Sequence, residues 1–215
     1  MRRPSSAVVW HRIGDYRDAA ARKFNRRRLS RVDGQFARPI CVHLGCGPVH
    51  LQGWLNLDIA RDSAADVRVD LRGGLPLPPA SARYVFSEHV FEHFELPTGV
   101  RLMSDVHAAL VSGGVLRIAM PDLSHLVERY RDRWCDQDWL SDPAYRHIDT
   151  AAHMLNFALR SWGHRYVYDF DDLHARLVSA GFQRIERVSW GESAHEDLRD
   201  LERRPDSLLV VEATK

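Results

Sequence analysis

The sequence predicts an α/β fold: a mostly parallel sheet sandwiched by helices, with an antiparallel last strand. Three observations carry this. Short apolar runs alternate with helix-period segments from residue 40 to residue 182, the pattern of parallel strands joined by crossovers. The first run, ICVHLGCG, ends in glycines, as a buried strand does where it enters a tight loop. Two strand-like runs then close the chain so near each other that an antiparallel pairing is expected. The 215 residues, 45% hydrophobic and 27% charged, suit one soluble domain with room for an insertion.

The elements follow in order. Residues 10–32 read as a basic helix, closed by Arg38-Pro39. After strand one comes WLNLDI (54–59), a second strand ending in Asp58, then the alternating DVRVDL (66–71) as a third. GGLPLPPAS is rich in turn residues and reads as a loop. ARYVFSEH (82–89) is a fourth strand. Residues 97–111 form a helix begun by Pro97, with Val100, Met103, Val106 and Leu110 on one face and Gly113-Gly114 as its stop. VLRIAMP (115–121) is a fifth strand. Residues 122–168 are mixed, aromatic and His-bearing, and read as an inserted helical lid. DFDDLHARLVSAGF (169–182) is a helix with Asp at its start and Gly181 at its end. QRIERVSW and SLLVVEAT are the closing strands.

Charge divides the chain into two parts. Residues 1–39 hold 11 Arg/Lys against 3 Asp, while the remainder carries 19 basic and 26 acidic residues. A basic N-terminal arm (1–39) on an acidic body (40–215) can contact an anionic surface or the body itself. Three cysteines without a CxxC pair argue against a disulfide framework or a structural zinc site, so a reducing cytoplasm is the expected home. No apolar run reaches bilayer-spanning length, and the N-terminal AVVW is too short for a signal peptide core.

Ligands of open α/β sheets bind at the carboxyl ends of the strands. Those ends carry Gly45-Cys46-Gly47, Asp58, Asp70-Leu71, Ser87-Glu88-His89 and Pro121-Asp122. A glycine loop followed by an acid on the next strand is the mark of a bound nucleoside: the glycines admit the ligand to the backbone and the carboxylate accepts the ribose hydroxyls. A dinucleotide fingerprint wants a third glycine, a helix, and an acid about 20 residues on. Here His50 stands at the third position and Asp58 lies only 11 residues past Gly47, which disfavours an NAD-type oxidoreductase. A pyrophosphate would lose its helix N-terminus. S-adenosylmethionine, which has no phosphate, loses less.

In these stretches the chain resembles the class I S-adenosylmethionine-dependent methyltransferases, and among them the small type 11-like methyltransferases. The resemblance rests on HLGCG, GWLNLDI, DVRVDLRGGLPLP, SEHVFEHF, LVSGGVLRIAMPDL, WGHRYVYDFDDLHARLVSAGF and SLLVVEATK, in order across about residues 40–215. It implies a Rossmann-like methyltransferase sandwich with S-adenosyl-L-methionine as cofactor. It also implies that Gly45, Cys46 and Gly47 lie against the methionine end, Asp58 holds the ribose, Asp70 and Leu71 face the adenine, and Glu88 and His89 lie near the cofactor and the mouth of the substrate site. The chain departs from the family pattern in shortened first crossovers and in the stretch LPLPPASARYV, where Pro79 and Arg83 stand in place of acidic residues. The basic arm is then a candidate to cover the cofactor.

Residues 89–93, HVFEH, also fit H-x-x-E-H, a zinc peptidase signature. Such a peptidase needs both histidines on one helix face and a third ligand. The motif directly follows a strand, where the methyltransferases resembled commonly carry a similar string. It is read as the exit of strand four, and no metal site is assigned. A zinc hydrolase and a non-catalytic S-adenosylmethionine-binding module stand as the alternatives. Each singled-out residue also has a plainer role: Asp58 as a helix cap, Asp70 as a turn residue, Cys46 as a small filler, and His89 and His93 as satisfied histidines. Among His153, His164 and Tyr168, packing is expected for two.

Methyl transfer from a sulfonium chiefly requires alignment of nucleophile, carbon and sulfur. A hydroxyl acceptor also needs a base; Glu88, His89, His93 and Asp122 ring the expected site, with His89, His93 and Glu88 the foremost catalytic candidates. The fourth strand lacks the Asn/Asp-Pro-Pro-aromatic string of amino-methylating enzymes, which favours O-methylation. The aromatics, Arg and His of 122–168 suit a small-molecule or glycan acceptor.

Overall fold

The computed structural model of the chain describes residues 23, 25–29, 36, 38–75 and 77–215. Its centre is a seven-stranded sheet: β1 (Ile40–Leu44), β2 (Leu55–Asp58), β3 (Val67–Arg68), β4 (Ala82–Glu88), β5 (Leu110–Met120), β6 (Arg184–Arg187) and β7 (Leu209–Thr214). The order is β3-β2-β1-β4-β5-β7-β6. Strands β1 to β5 pair in parallel, while β7 runs antiparallel to both β5 and β6. The expected mostly parallel sheet with an antiparallel last strand is therefore observed. Among the described residues, no helix is long and apolar enough to cross a membrane.

Alternation along β4 and β5 builds two apolar layers, because successive side chains leave opposite faces of a strand. Val85, Leu116, Ile118 and Met120 join one cluster. It is completed by Leu102, Met103 and Val106 of helix α1 (Leu96–Ala109) and by Leu173 and Leu177 of a helix at Phe170–Ala180. Tyr84, Phe86, Val115 and Ala119 join a second cluster with Trp54, Leu198, Leu201 and Val210. Leu198 and Leu201 come from the β6–β7 connection, which carries only a 3-10 turn at Glu196–Leu198. Arg117, fully buried, ties this connection down: its Nε donates to Glu202 Oε1 and its guanidinium to Glu212 Oε1, both at 2.6 Å, and to the Glu192 carbonyl at 2.8 Å.

Between β5 and the Phe170 helix the chain folds helix α2 (Leu123–Arg129), two 3-10 turns and helix α3 (Ala151–Arg160). This insertion has its own apolar cluster of Leu126, Ile148, Met154, Ala158 and Val167. The Phe170–Ala180 helix, α4, starts on an Asp169 cap and ends at Gly181 with φ +108°. No helix separates β1 from β2 or β2 from β3.

Three boundaries differ from the sequence expectation. Helix α1 ends at Ala109, not at the Gly113-Gly114 pair. Leu110 pairs with Ala82, and the next aligned pair is Tyr84 with Val115, so Val111–Gly114 bulge out of β5. The glycines serve that bulge: Gly113 has φ +75°, and its N–H donates to the Lys215 carbonyl. Strand β3 is reduced to two residues because Asp70 instead caps a 3-10 turn, Leu71–Gly73. The strand expected over 183–190 pairs only across Arg184–Arg187. Most of the basic helix expected at 10–32 lies outside the described residues. Its described residues, 23 and 25–29, are helical, with Asn25 and Leu29 buried against the body.

Candidate functional site

The glycine loop and Asp58 meet at the carboxyl ends of β1 and β2. Gly45 and Gly47 have φ of +63° and +51°, the left-handed region that favours glycine. A Cβ on Gly45 would strike the Val90 side chain, whereas one on Gly47 would meet nothing within 4 Å. Asp58 Oδ2 accepts the Gly47 N–H at 2.8 Å, and Oδ1 accepts the Ala60 N–H at 2.7 Å. Each oxygen keeps a further lone pair for an incoming hydroxyl. Ile59, directly after Asp58, is 51% exposed and offers an apolar surface beside it. The Cys46 backbone N–H donates to the Leu57 carbonyl at 3.1 Å. Burial, reinforced by the charges of Asp58 and Asp66, pushes the Cys46 thiol up to about 12, so it stays protonated.

Without helices in the first crossovers, a polar knot sets the loop. Fully buried Asn56 accepts the Leu51 N–H at 2.9 Å and turns its amide toward the Trp54 and Leu51 carbonyls and Asp66. Asp66 accepts the Asn56 N–H at 2.8 Å. His43 Nδ1 lies 3.2 Å from Asn56 Oδ1 and the ring stacks on Phe86. Ile59, Asn56 and Asp66 escaped the sequence reading. An apolar residue after the acid at a strand exit was the available signal for Ile59, whereas nothing in the sequence announced the knot.

At β3, Asp70 accepts the Arg72 N–H at 3.0 Å and pairs with its guanidinium at 2.8 Å. Partial burial alone would raise the Asp70 carboxyl, but the hydrogen bonds and charge of Arg72 prevail and hold it below its ordinary value. Asn25 of the basic helix donates to the Asp70 carbonyl at 2.9 Å and accepts its N–H at 3.3 Å. Leu71 is buried. Both residues lie at the same carboxyl edge of the sheet as the glycine loop, and Asn25 packs on Asp70 there.

At β4, the Glu88 carboxylate accepts the N–H groups of Arg203 and Arg204 at 3.0 Å and the Ser207 hydroxyl at 2.7 Å. It anchors the segment before β7. His89 has φ +52° and a nearly buried ring whose Nδ1 lies 3.2 Å from Glu92 Oε1 and whose Nε2 lies 3.6 Å from Asp206 Oδ1. Residues Phe91–His93 form a 3-10 turn. The H-x-x-E-H string therefore has no helix face on which to set both histidines. Fully buried Glu92 stands beside His93 and His164, and one ligand atom from each of the three lies within 4.8 Å of the others. His164 Nδ1 donates to the Ala158 carbonyl at 2.7 Å, and burial lowers its pKa, which keeps the ring neutral.

His89, His93 and His164 line a pocket of about 430 Å³ with Trp139, Tyr145 and Trp162. These aromatics belong to the insertion and pack edge to face. Asp122, after β5, is committed elsewhere: it caps α2 through the Ser124 N–H and accepts Arg187 at 2.6 Å.

No family model matches the chain, and no curated protein matches it in sequence. Solved structures do resemble it. An S-adenosylmethionine-dependent methyltransferase of Thermotoga maritima, described as a possible histamine N-methyltransferase, is 13% identical. It aligns over 94% of this chain and 96% of its own with a TM-score of 0.50. Methyltransferases of Archaeoglobus fulgidus and Mesorhizobium loti are 16% and 19% identical, each at a TM-score of 0.48; the alignments cover 90% and 86% of this chain and 94% and 96% of theirs. At these identities the likeness speaks for the fold alone. With its sheet order, its glycine loop and its reversed last strand, the chain has the Rossmann-like fold of the class I S-adenosylmethionine-dependent methyltransferases.

Proposed function

We propose that the chain is an S-adenosylmethionine-dependent methyltransferase that methylates an oxygen of a small-molecule or glycan acceptor. The observation that carries this is the junction of Gly47 with Asp58. A left-handed glycine with an open side stands against a carboxylate that retains lone pairs, at adjoining strand ends of a methyltransferase sheet. Such a junction fits a nucleoside: the Gly45–Gly47 backbone receives the ligand without a Cβ in the way, Asp58 accepts the ribose hydroxyls, and Ile59 lies against the base. Bound there, S-adenosylmethionine supplies a methyl group already activated on a sulfonium.

The acceptor enters the aromatic pocket beside the exit of β4, with the 122–168 insertion as its lid. Trp139, Tyr145 and Trp162 supply flat faces for a sugar ring or an aryl group, which excludes water and orients the nucleophile. His89 is the base in this reading. Its Nδ1 side faces Glu92, its Nε2 has no hydrogen-bond partner, and Asp206 stands where it can hold the imidazolium formed. His93 faces the same pocket and positions the acceptor. Glu88 acts indirectly, by fixing the segment that carries Asp206.

Calorimetric titration of purified protein with S-adenosylmethionine, wild type beside Asp58→Ala, tests the reading. Micromolar binding that the variant loses supports it. Folded wild-type protein that does not bind the cofactor refutes it, and binding without turnover of any hydroxylated acceptor refutes the O-methylation.

A further inference from the structure

Glu92 poses a physical problem. Its side chain is wholly buried, and neither carboxylate oxygen receives a hydrogen bond. A buried carboxylate in that state needs a proton or a cation. His89 Nδ1 approaches Oε1 at 3.2 Å, outside hydrogen-bonding geometry. On the other side stand His93 and His164, whose nitrogens bring the set to two imidazoles and one carboxylate.

We propose that Glu92, His93 and His164 bind a divalent transition-metal ion, with Zn²⁺ the best fit by ligand type. Two imidazoles and a carboxylate suit borderline ions, and three protein ligands leave a coordination position open. Around Zn²⁺, bonds of about 2.0–2.2 Å draw tetrahedral donors to roughly 3.4 Å of one another. The present donors spread over up to 4.8 Å, so the proposal requires them to draw together when the ion binds.

The surroundings are built for these ligands. His164 Nδ1–H donates to the Ala158 carbonyl, which leaves Nε2 with its lone pair free, the usual support for a metal-bound histidine. The Glu92 carbonyl accepts the N–H groups of Arg165 at 2.7 Å and Tyr166 at 3.1 Å, so the two ligand-bearing segments are fastened to each other. Gly163, next to His164, has φ +88°, and a Cβ there would come into van der Waals contact with His93 Nδ1 at 3.4 Å. The open position of the ion faces the pocket of Trp139, Tyr145 and Trp162, where it would take an oxygen ligand.

The sequence alone hides this set. H-x-x-E-H points to His89 with His93, whereas the third ligand, His164, comes from the far end of the insertion, and His89 stands outside the cluster.

The test is titration of chelator-treated protein with Co²⁺, followed by its visible absorption, then displacement by Zn²⁺ with metal analysis after dialysis. The expected result is one ion per chain. His93→Ala and His164→Ala should each weaken binding by more than the roughly 10–100-fold that losing a partner of a ligand costs. His153→Ala, on the outer part of α3, should bind as wild type does. His93 is only partly buried, so its variant keeps the comparison meaningful if His164→Ala fails to fold, and thermal melts decide that. Absence of stoichiometric binding by folded wild type overturns the proposal, as does binding unchanged in His93→Ala. Cofactor calorimetry on the same samples separates this result from the methyltransferase reading: protein that binds S-adenosylmethionine but no metal refutes the metal site alone.

Discussion

The backbone N–H of Gly47 donates to the Asp58 carboxylate across 2.8 Å, so one side chain ties the end of β2 to the glycine loop that follows β1. If Asp58 holds the ribose as proposed, Asp58→Ala should do double damage, unfastening the loop and removing that acceptor. Gly47→Ala separates the two effects. A non-glycine residue at φ +51° costs about 1–2 kcal/mol, and its methyl group projects into the open side. Calorimetry should show cofactor affinity falling by more than the stability loss explains. Binding equal to wild type would move the cofactor elsewhere.

Arg117 sits between Glu202 and Glu212 with no exposed surface. Arg117→Met leaves two buried carboxylates without their cation and should cost about 3–5 kcal/mol, a fall of roughly 6–20 °C in Tm. Replacing all three residues by apolar ones of similar size should recover most of that loss, because the desolvation penalty disappears with the charges. Thermal melts of the single and triple variants distinguish a net stabilising network from one that mainly fixes where the β6–β7 connection lies.

Thiol chemistry should separate the cysteines. Cys135 is exposed, while burial and the neighbouring Asp58 and Asp66 charges hold Cys46 protonated, and burial also raises Cys41. Iodoacetamide at pH 8 should label Cys135 in native protein and reach the other two only after denaturation, as read by peptide mass mapping. Rapid labelling of native Cys46 would contradict the packing of the glycine loop.

Burial pushes the His43 pKa down to about 4, outweighing the Asn56 bond that opposes it. In the unfolded chain the ring titrates near 6.5. Between these values the unfolded state binds a proton that the native state refuses, so stability falls as pH drops from about 6.5 to about 4, by at most ~3 kcal/mol. Above pH 6.5 His43 contributes no pH dependence. Melts from pH 7.5 to 4.5 should show this slope in wild type and a shallower one in His43→Gln. Equal slopes would mean that the ring takes up a proton without leaving its site.

Periodicity announced most of the sheet and the helices α1 and α4, since their apolar faces repeat at the strand and helix spacings. It failed where glycines had two meanings: Gly113-Gly114 looked like a helix stop but serves a bulge inside β5. The loop and Asp58 were legible because chemistry and spacing coincide there. Asn56 and Asp66 were not, since a polar residue that replaces a missing helix carries no local pattern. Arg117 stood in the fifth strand with nothing local to say what would cover its face of the sheet. Only the β6–β7 connection, folded over that face, turns it into a buried one.

The place of β7 in the sheet also has a temporal meaning. It lies between β5 and β6 and supplies β6 with its only strand partner among the described residues. Yet residue 209 follows residue 120 by 89 positions, so at roughly 5–20 residues per second a ribosome leaves one border of β5 bare for several seconds. During that interval the nascent chain presents a long apolar strand with unpaired amides, the kind of template on which chains join edge to edge. Closure of the sheet thus waits on the synthesis of β7, and until then the border of β5 is the surface that a chaperone would have to cover.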